Sequence, residues 1–390
     1  MSSPWAMLGV VSLAQFLAMT LWFSATAVTP SLVRDFAIPA GQVAWLTMAV
    51  QAGFVVGTLV SALGNLADVV NARTLMFIGS LAGAAANAAV IIAPSSTSVI
   101  VLRFLTGAAL ALVYPPGMKI AAGWFRDRRG LALGLLIGAL TLGKALPHLL
   151  TALFGDNWHQ PMLLVSGLAA LGGIMVLAVV RDGPYLAATA PFAPHAIRKI
   201  LSSRGARLAT FGYLGHMWEL YAMWTWVAVF AAASLTASGM TNAGAAGSVA
   251  AFLAIGSGAA GCGLAGYLAD RFGKARIAMW AMLASAACAA LTVVVFGTSP
   301  FWLYALVMIW GFAVVADSAQ FSALVSEHAP KEHIGTALTL QTCVGFLLTM
   351  VTIEGMPRLA EATSWQYASL LLVPGPLLGA WAMSRLKKPI

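Results

Sequence analysis

Six ionisable side chains interrupt otherwise apolar stretches of the sequence: Arg103, Lys144, His148, His216, Glu219 and Asp317. Lys144 and His148 are four residues apart, which on a helix puts them on one face, one turn from each other. Such a pair can contact a substrate anion, act as counter-ion to a proton carrier, or form a fixed structural bridge. His216 and Glu219 are three apart in Gly215-His216-Met217-Trp218-Glu219. A carboxylate and an imidazole withdrawn from water are groups that exchange protons. The alternatives for that pair are a neutral hydrogen-bonded contact or a shared metal ligand sphere, and no further His/Cys cluster is evident to complete a metal site. Asp317, followed by Ser318 and Gln320, joins the acidic set. Arg103 either contacts substrate or anchors a neighbouring backbone. Lys119 and Glu354 fall near the ends of apolar stretches, where solvation is the simpler account. No metal and no cofactor is expected.

The elements that position these groups are membrane-spanning helices. Hydrophobic residues make up 61% of the 390, charged residues 8%, and mean hydropathy is +0.89, whereas a soluble domain carries about 25% charge. Apolar stretches of about 20 residues fall near 5–29, 41–63, 73–94, 97–121, 129–154, 160–180, 206–235, 243–268, 275–297, 300–326, 333–356 and 364–386. A charge near the bilayer centre costs about 2.5–3.5 kcal/mol on insertion scales, so each of the six is a candidate for function. The first stretch lacks a small-residue cleavage site and is rich in bulky residues (Trp5, Phe16, Trp22, Phe23), as in a retained helix rather than a signal peptide.

Charge sets the expected topology. With the N-terminus inside, the cytoplasmic segments collect Arg73, Lys119, Arg126, Arg128, Arg129, Arg181, Arg198, Lys199, Arg204, Arg207, Arg271, Lys274, Arg276, Lys331, Arg385, Lys387 and Lys388, leaving Arg34 and Arg358 outside. That is a positive-inside pattern, and an even number of spans returns the C-terminus to the cytoplasm. The net charge of +9 therefore reflects orientation. No basic domain outside the bilayer exists to bind nucleic acid. Cys262, Cys288 and Cys343 all lie in apolar stretches without CxxC spacing, which disfavours disulfides and thiolate metal sites.

The chain also repeats itself. Gly64-Asn65-Leu66-Ala67-Asp68 recurs as Gly266-Tyr267-Leu268-Ala269-Asp270, each after an apolar run, at an offset of 266 − 64 = 202. Gln15 in Leu13-Ala14-Gln15-Phe16 aligns with His216 in Leu214-Gly215-His216-Met217, Gly107 aligns with Gly311, and Arg129-Gly130 resembles Ile334-Gly335. The longest polar stretch, 181–205, lies near the midpoint; its Pro, Gly, Lys and Arg content reads as a linker with a short interfacial helix. The expected architecture is all-α: twelve transmembrane helices in two six-helix bundles, 1–180 and 206–390, joined by a cytoplasmic linker, with a site between related halves.

On these residues the chain resembles the major facilitator superfamily over essentially its whole length. That family carries Gly-x-x-x-Asp-Arg/Lys-x-Gly-Arg/Lys-Arg/Lys between helices two and three and again between eight and nine. The second copy here keeps Gly266, Asp270, Arg271, Gly273 and Lys274, with Arg276 one place late. The first keeps Gly64, Asp68 and Arg73, with Val69 and Asn71 in place of the basic residue and second glycine. If the loops latch one state as in the family, the first relies on Asp68 capping a neighbouring helix N-terminus. The family's Arg-x-x-x-Gly signature appears as Arg103-Phe104-Leu105-Thr106-Gly107. The loop Gly123-Trp124-Phe125-Arg126-Asp127-Arg128-Arg129-Gly130 is similar to that of the organic-anion and nitrate branches. Gly138 through Lys144 on helix five lacks the Gly-Pro pair of drug/proton antiporters, and helices two and eight contain no arginine, so the nitrate-porter clamp is missing too.

The resemblance implies that helices one, four, seven and ten line a central cavity, flanked by helix five. It sets a cationic wall of Arg103, Lys144 and His148 against an acidic wall of His216, Glu219 and Asp317. Trp22, Trp218, Tyr221, Trp224 and Trp226 are dense for two helices. Some anchor at interfaces; any on the cavity side favour a substrate with an apolar body. The expectation is a monomeric inner-membrane carrier, moving a small organic anion by alternating access with proton coupling. Substrate contacts are expected from Lys144, Arg103, His148, Trp22, Tyr221 and Trp218, and proton exchange from Glu219, Asp317 and His216. Export of amphipathic or cationic compounds is the alternative within transport, and a transport-inactive receptor or scaffold the alternative outside it. An enzyme would need a convergent nucleophile or metal constellation, and none stands out.

Overall fold

The computed structural model describes residues 3–126, 128–185 and 192–386. Lys387, Lys388, Asp127 and positions 186–191 of the expected linker lie outside the described residues, as do the side chains of Ala67 and Arg129. The chain divides into two compact units, Met1–Ala188 and Thr189–Ile390. In the first unit the helices are α1 (Pro4–Met19), α2 (Ser24–Ala27), α3 (Thr29–Phe36), α4 (Trp45–Leu63), α5 (Leu66–Val69), α6 (Ala72–Ala88), α7 (Ser96–Leu110), α8 (Tyr114–Trp124), α9 (Arg129–Phe154) and α10 (His159–Val179). In the second they are α11 (Ile197–Ser202), α12 (Arg204–Ala237), α13 (Ala243–Phe272), α14 (Lys274–Val295), α15 (Pro300–Ala316), α16 (Ser318–His328), α17 (Ile334–Ala362), α18 (Trp365–Ala368) and α19 (Pro374–Arg385).

Among the described residues, 11 helical segments are long and apolar enough to cross a membrane; this is an all-α, multi-pass integral membrane protein. The remaining expected crossing, 5–29, is not one helix. α1 stops after 16 residues at Met19, and residues 20–23 form turns before α2 begins. Thr20 Oγ1 donates back to the Leu17 carbonyl at 2.7 Å, and the carbonyls of Leu21 and Trp22 accept from Arg103 rather than continuing a helical ladder. The span through Ser96–Trp124 is also divided, at 111–113, because Pro115 and Pro116 follow and supply no N–H. Its counterpart in the second unit divides at Asp317, between α15 and α16.

The internal repeat extends to the packing of each unit. In the first, α4 lies against α7; in the second, α13 lies against α15. A methyl on Gly107 would lie inside the Val50 carbonyl, and one on Gly311 inside that of Ala254. Gly57 meets the Ala108 carbonyl in the same way that Gly261 meets that of Phe312. The offsets are identical: 311 − 107, 254 − 50, 261 − 57 and 312 − 108 all equal 204. Close approach of two backbones is what small residues permit in membranes, where van der Waals packing drives helix association.

The paired loops are less alike than their sequences. In the second copy α13 continues through Gly266 and Asp270 to Phe272, so the Gly-x-x-x-Asp segment is helical; the turn comes at Gly273, whose φ of +93° suits glycine. In the first copy Asn71 stands where that glycine would be. There α4 ends at Leu63, and the left-handed residue is Asn65, with φ +47°. Asn71 has become the N-cap of α6, its Oδ1 accepting from the Arg73 N–H at 2.9 Å.

Each loop is tied by an ion pair of opposite polarity. Asp68 pairs with Lys119 in the middle of α8, so Lys119, expected to be solvated, is half-buried and supplies a cation to the first loop. In the second unit Lys274 of the loop meets Glu327 near the end of α16 at 2.5 Å. Arg73 donates to the Val180 carbonyl at 2.7 Å, and Asn71 Nδ2 to Asp182 at 2.8 Å. Arg271 lies over Phe272, 5.5 Å from the ring centroid; Asp270 is exposed.

Candidate functional site

All six candidate side chains are buried, none more than 4% exposed. In the first unit they sort into two roles. Arg103, on α7, uses all five of its N–H donors within the unit. Nε donates to the Leu46 carbonyl at 3.4 Å; one terminal nitrogen donates to Ser24 Oγ at 2.9 Å and Asn87 Oδ1 at 2.8 Å; the other donates to the carbonyls of Leu21 at 3.0 Å and Trp22 at 2.6 Å. Asn87 is itself satisfied, bonding Ser24 at 2.6 Å and Ser166 at 3.0 Å. Arg103 is therefore a clasp on the turn at 20–23, joining α7 to α4, α6 and the break after α1.

That turn carries Trp22, and Lys144 lies over the Trp22 ring, Nζ 4.4 Å from its centroid, in cation–π range. The Trp22 ring also packs on Phe54 at 5.1 Å, and Phe54 approaches Tyr114 at 6.4 Å. On α9, Pro147 removes the N–H that would bond the Gly143 carbonyl, interrupting the ladder between Lys144 and His148. His148 is fully buried beside Phe23, ring centroids 6.3 Å apart, and neither ring nitrogen has a hydrogen-bond partner. The five acidic residues of this unit, at 35, 68, 127, 156 and 182, all fall outside its apolar spans.

The second unit holds the carboxylates. Glu219 on α12 accepts from Ser285 Oγ at 2.8 Å and from the Trp310 indole at 2.6 Å, both to Oε1. His216, one turn earlier, contacts Asp317 instead: Nδ1 and Oδ1 are 2.8 Å apart, within ion-pair distance though off the line of a hydrogen bond. Its Nε2 meets Ser318 Oγ at 2.9 Å. His216 and Glu219, adjacent on one helix, thus face different partners. The break between α15 and α16 is where Asp317 and Ser318 turn toward the imidazole.

The aromatics divide similarly. Trp218 donates to the Leu371 carbonyl and Trp226 to that of Ile353, each at 2.8 Å, so both indoles anchor neighbouring helical segments. Tyr221 is buried against Trp224 at 5.3 Å and Phe346 at 5.0 Å. Sequence reasoning missed Ser24, Asn87, Ser285 and Trp310. Asn87 had a visible signal, an amide inside an apolar stretch; Ser285 and Trp310 had none beyond their position in predicted spans. The three cysteines are free and buried, and no cluster of three or more metal-ligating side chains occurs among the described residues.

A two-unit helical membrane protein with charges buried inside its spans has the organisation of a polytopic membrane carrier. Residues 11–353 match the sequence profile of the Major Facilitator Superfamily, and the chain belongs to that family of membrane transporters. It is similar to the probable actinorhodin transporter of Streptomyces coelicolor, 24% identical over 189 residues, covering 46% of this chain and 32% of that protein. It is also similar to the uncharacterized transporter ESBP6 of Saccharomyces cerevisiae, 25% identical over 254 residues, covering 62% of this chain and 36% of that one. The matched region spans about a third of the length of each of these curated relatives. The fold is that of a crystal structure of a mutant form of the nucleoside transporter NupG, with a TM-score of 0.73 at 15% identity, over 98% of this chain and 100% of the other.

Proposed function

We propose that the chain is a secondary active transporter that carries a small organic anion by alternating access, coupled to protons. The observation that supports this reading is the segregation of buried charge: Arg103 and Lys144 lie in a unit whose spans hold no acid, Glu219 and Asp317 in the other. In this reading Lys144 receives the anion, the Trp22 ring packs its apolar body, and the unbonded nitrogens of His148 add polar contacts. Arg103 acts through Trp22, by holding its backbone. Tyr221 contributes an apolar wall. Glu219, Asp317 and His216 exchange protons, since charges held in the membrane mark ion and proton pathways. Both termini are assigned to the cytoplasmic side, and the loops at Gly64–Arg73 and Gly266–Lys274 act as latches there.

A second reading, export of amphipathic or cationic compounds, is favoured by the Tyr221, Trp224 and Phe346 cluster on the carboxylate-bearing unit. The experiment begins with a thermal-shift screen of the purified protein against organic anions and amphiphilic drugs over a pH range, followed by counterflow of the best ligand in proteoliposomes. Under the anion reading Lys144→Met lowers exchange at least about tenfold, the equivalent of about 1.4 kcal/mol. Glu219→Gln preserves exchange but loses accumulation driven by a pH gradient. Undiminished anion transport by Lys144→Met would sink the anion reading, and unchanged drug export by the same variant supports the alternative. Ligand binding without any exchange points to a receptor.

A further inference from the structure

We propose that the second unit carries a site for an anionic phospholipid where α12 begins and α19 ends. A pocket of about 360 Å³ lies there, lined by Arg204, Arg207, Leu208, Phe211, Trp381 and Arg385. Its volume is within the range of small-ligand sites, about 300–1,000 Å³. The four residues from α12 stand at i, i+3, i+4 and i+7, so they form one face of that helix. Trp381 and Arg385 stand at i and i+4 on α19, which packs along α12.

The arginines gather at one end. None of the three enters an ion pair among the described residues; the pairs of this unit are Lys274–Glu327, His216–Asp317 and Arg358–Glu354. Arg207 spends one terminal nitrogen on the carbonyls of Leu201, at 2.6 Å, and Ser202, at 3.2 Å, which ties α11 to the start of α12 and leaves its other donors. Arg385 lies 5.8 Å from the Trp381 ring centroid. Three cationic side chains around one concavity without a protein acid constitute a receptor for a phosphate group.

Polarity changes with depth in the way a lipid's does. At 1.5 Å of rise per residue, Phe211 lies about 10 Å further along α12 than Arg204, and Trp381 about 6 Å inward of Arg385. Both aromatic side chains are 56% exposed, and both belong to membrane-crossing segments, Arg204–Ala237 and Trp365–Arg385. A headgroup phosphate at the arginines therefore places its acyl chains along Phe211 and Trp381. A free anion would use the arginines and leave the aromatics without a role. The positive-inside pattern assigns this end to the cytoplasmic leaflet, whose anionic lipids attract basic residues at the membrane boundary.

The test uses purified full-length protein in neutral detergent, titrated with phosphatidylglycerol, phosphatidylcholine or inorganic phosphate and read by native mass spectrometry and thermal unfolding. Saturable phosphatidylglycerol binding is expected, at least about tenfold tighter than phosphatidylcholine and not displaced by phosphate at equal concentration. The triple variant R204Q/R207Q/R385Q should bind phosphatidylglycerol about a hundredfold more weakly and each single variant about fivefold more weakly, the fold-changes equivalent to about 1 kcal/mol per basic side chain at an anionic surface. Equal affinity for the two lipids in the wild-type protein overturns the proposal, as does unchanged binding by a triple variant that unfolds at the wild-type temperature without lipid. Displacement by inorganic phosphate identifies a free-anion site instead. Should the triple variant unfold early, the single variants and the wild-type lipid comparison decide.

Discussion

Replacing Arg103 with lysine keeps the charge and removes the geometry, and the cost follows from its hydrogen bonds. The guanidinium supplies five donors and an ammonium three, so at least two acceptors among Leu21, Trp22, Ser24, Leu46 and Asn87 lose their partner. A buried polar group left unsatisfied costs about 1–3 kcal/mol, giving about 2–6 kcal/mol for two. The low end applies, because the single O–H of Ser24 still serves either the Leu21 carbonyl or Asn87 Oδ1; the Trp22 carbonyl is the least protected. About 2–3 kcal/mol in a unit of this size lowers its melting temperature by about 4–12 °C. Tryptophan fluorescence during heating measures the change. A thiol-reactive dye reports separately on the second unit, where Cys262, Cys288 and Cys343 all lie, and its transition should move less. An Arg103→Lys protein that melts within about a degree of wild type would refute the claim that the guanidinium clasps the turn at 20–23.

The packing repeat predicts that Gly107→Ala and Gly311→Ala each destabilise their own unit by about 1–3 kcal/mol or more, as overpacking does, because each new methyl would collide with a backbone carbonyl. Chemical-denaturant unfolding checks this, and a neutral effect at either position would contradict the close approach. Outside the membrane spans, the Asp35 carboxyl is held below its ordinary value of 3.8, first by the indole of Trp158, which donates at 2.7 Å, and then by Arg34. A depressed folded-state value means the stabilisation is complete above the ordinary value and disappears as pH falls through the folded one. Trp158→Phe should therefore flatten the loss of melting temperature between about pH 5 and pH 3; equal slopes for variant and wild type would argue against the contribution.

The spans and the duplication were readable because hydropathy and spacing are local or periodic properties of the chain. The offset of 204 that organises the glycine contacts was present in the sequence at Gly57 and Gly261 as well as at Gly107 and Gly311, but only the carbonyls they face explain it. Thr20-Leu21-Trp22-Phe23 is as apolar as a continuous helix, so the break there was not visible; it depends on a guanidinium about eighty residues away. The separate partners of His216 and Glu219 were hidden for the same reason. One helix face predicts proximity to each other, whereas Ser285, Trp310 and Asp317 come from three other places in the chain. The loop motifs were legible in composition, yet the loss of a glycine at Asn71 relocated the turn itself.

The order of residues in the Arg103 network has a consequence for biosynthesis. Leu21, Trp22, Ser24, Leu46 and Asn87 all precede Arg103, so every acceptor has been made before the arginine leaves the ribosome, and its charge need never lodge in lipid awaiting a partner. Glu219 has the reverse schedule. Ser285 follows it by 66 residues and Trp310 by 91, so its carboxyl group enters the translocation machinery long before its donors exist. The arginine network of the first unit is complete as soon as Arg103 is made, whereas the second unit must keep Glu219, and His216 beside it, in a temporary environment until translation has passed Trp310, Asp317 and Ser318.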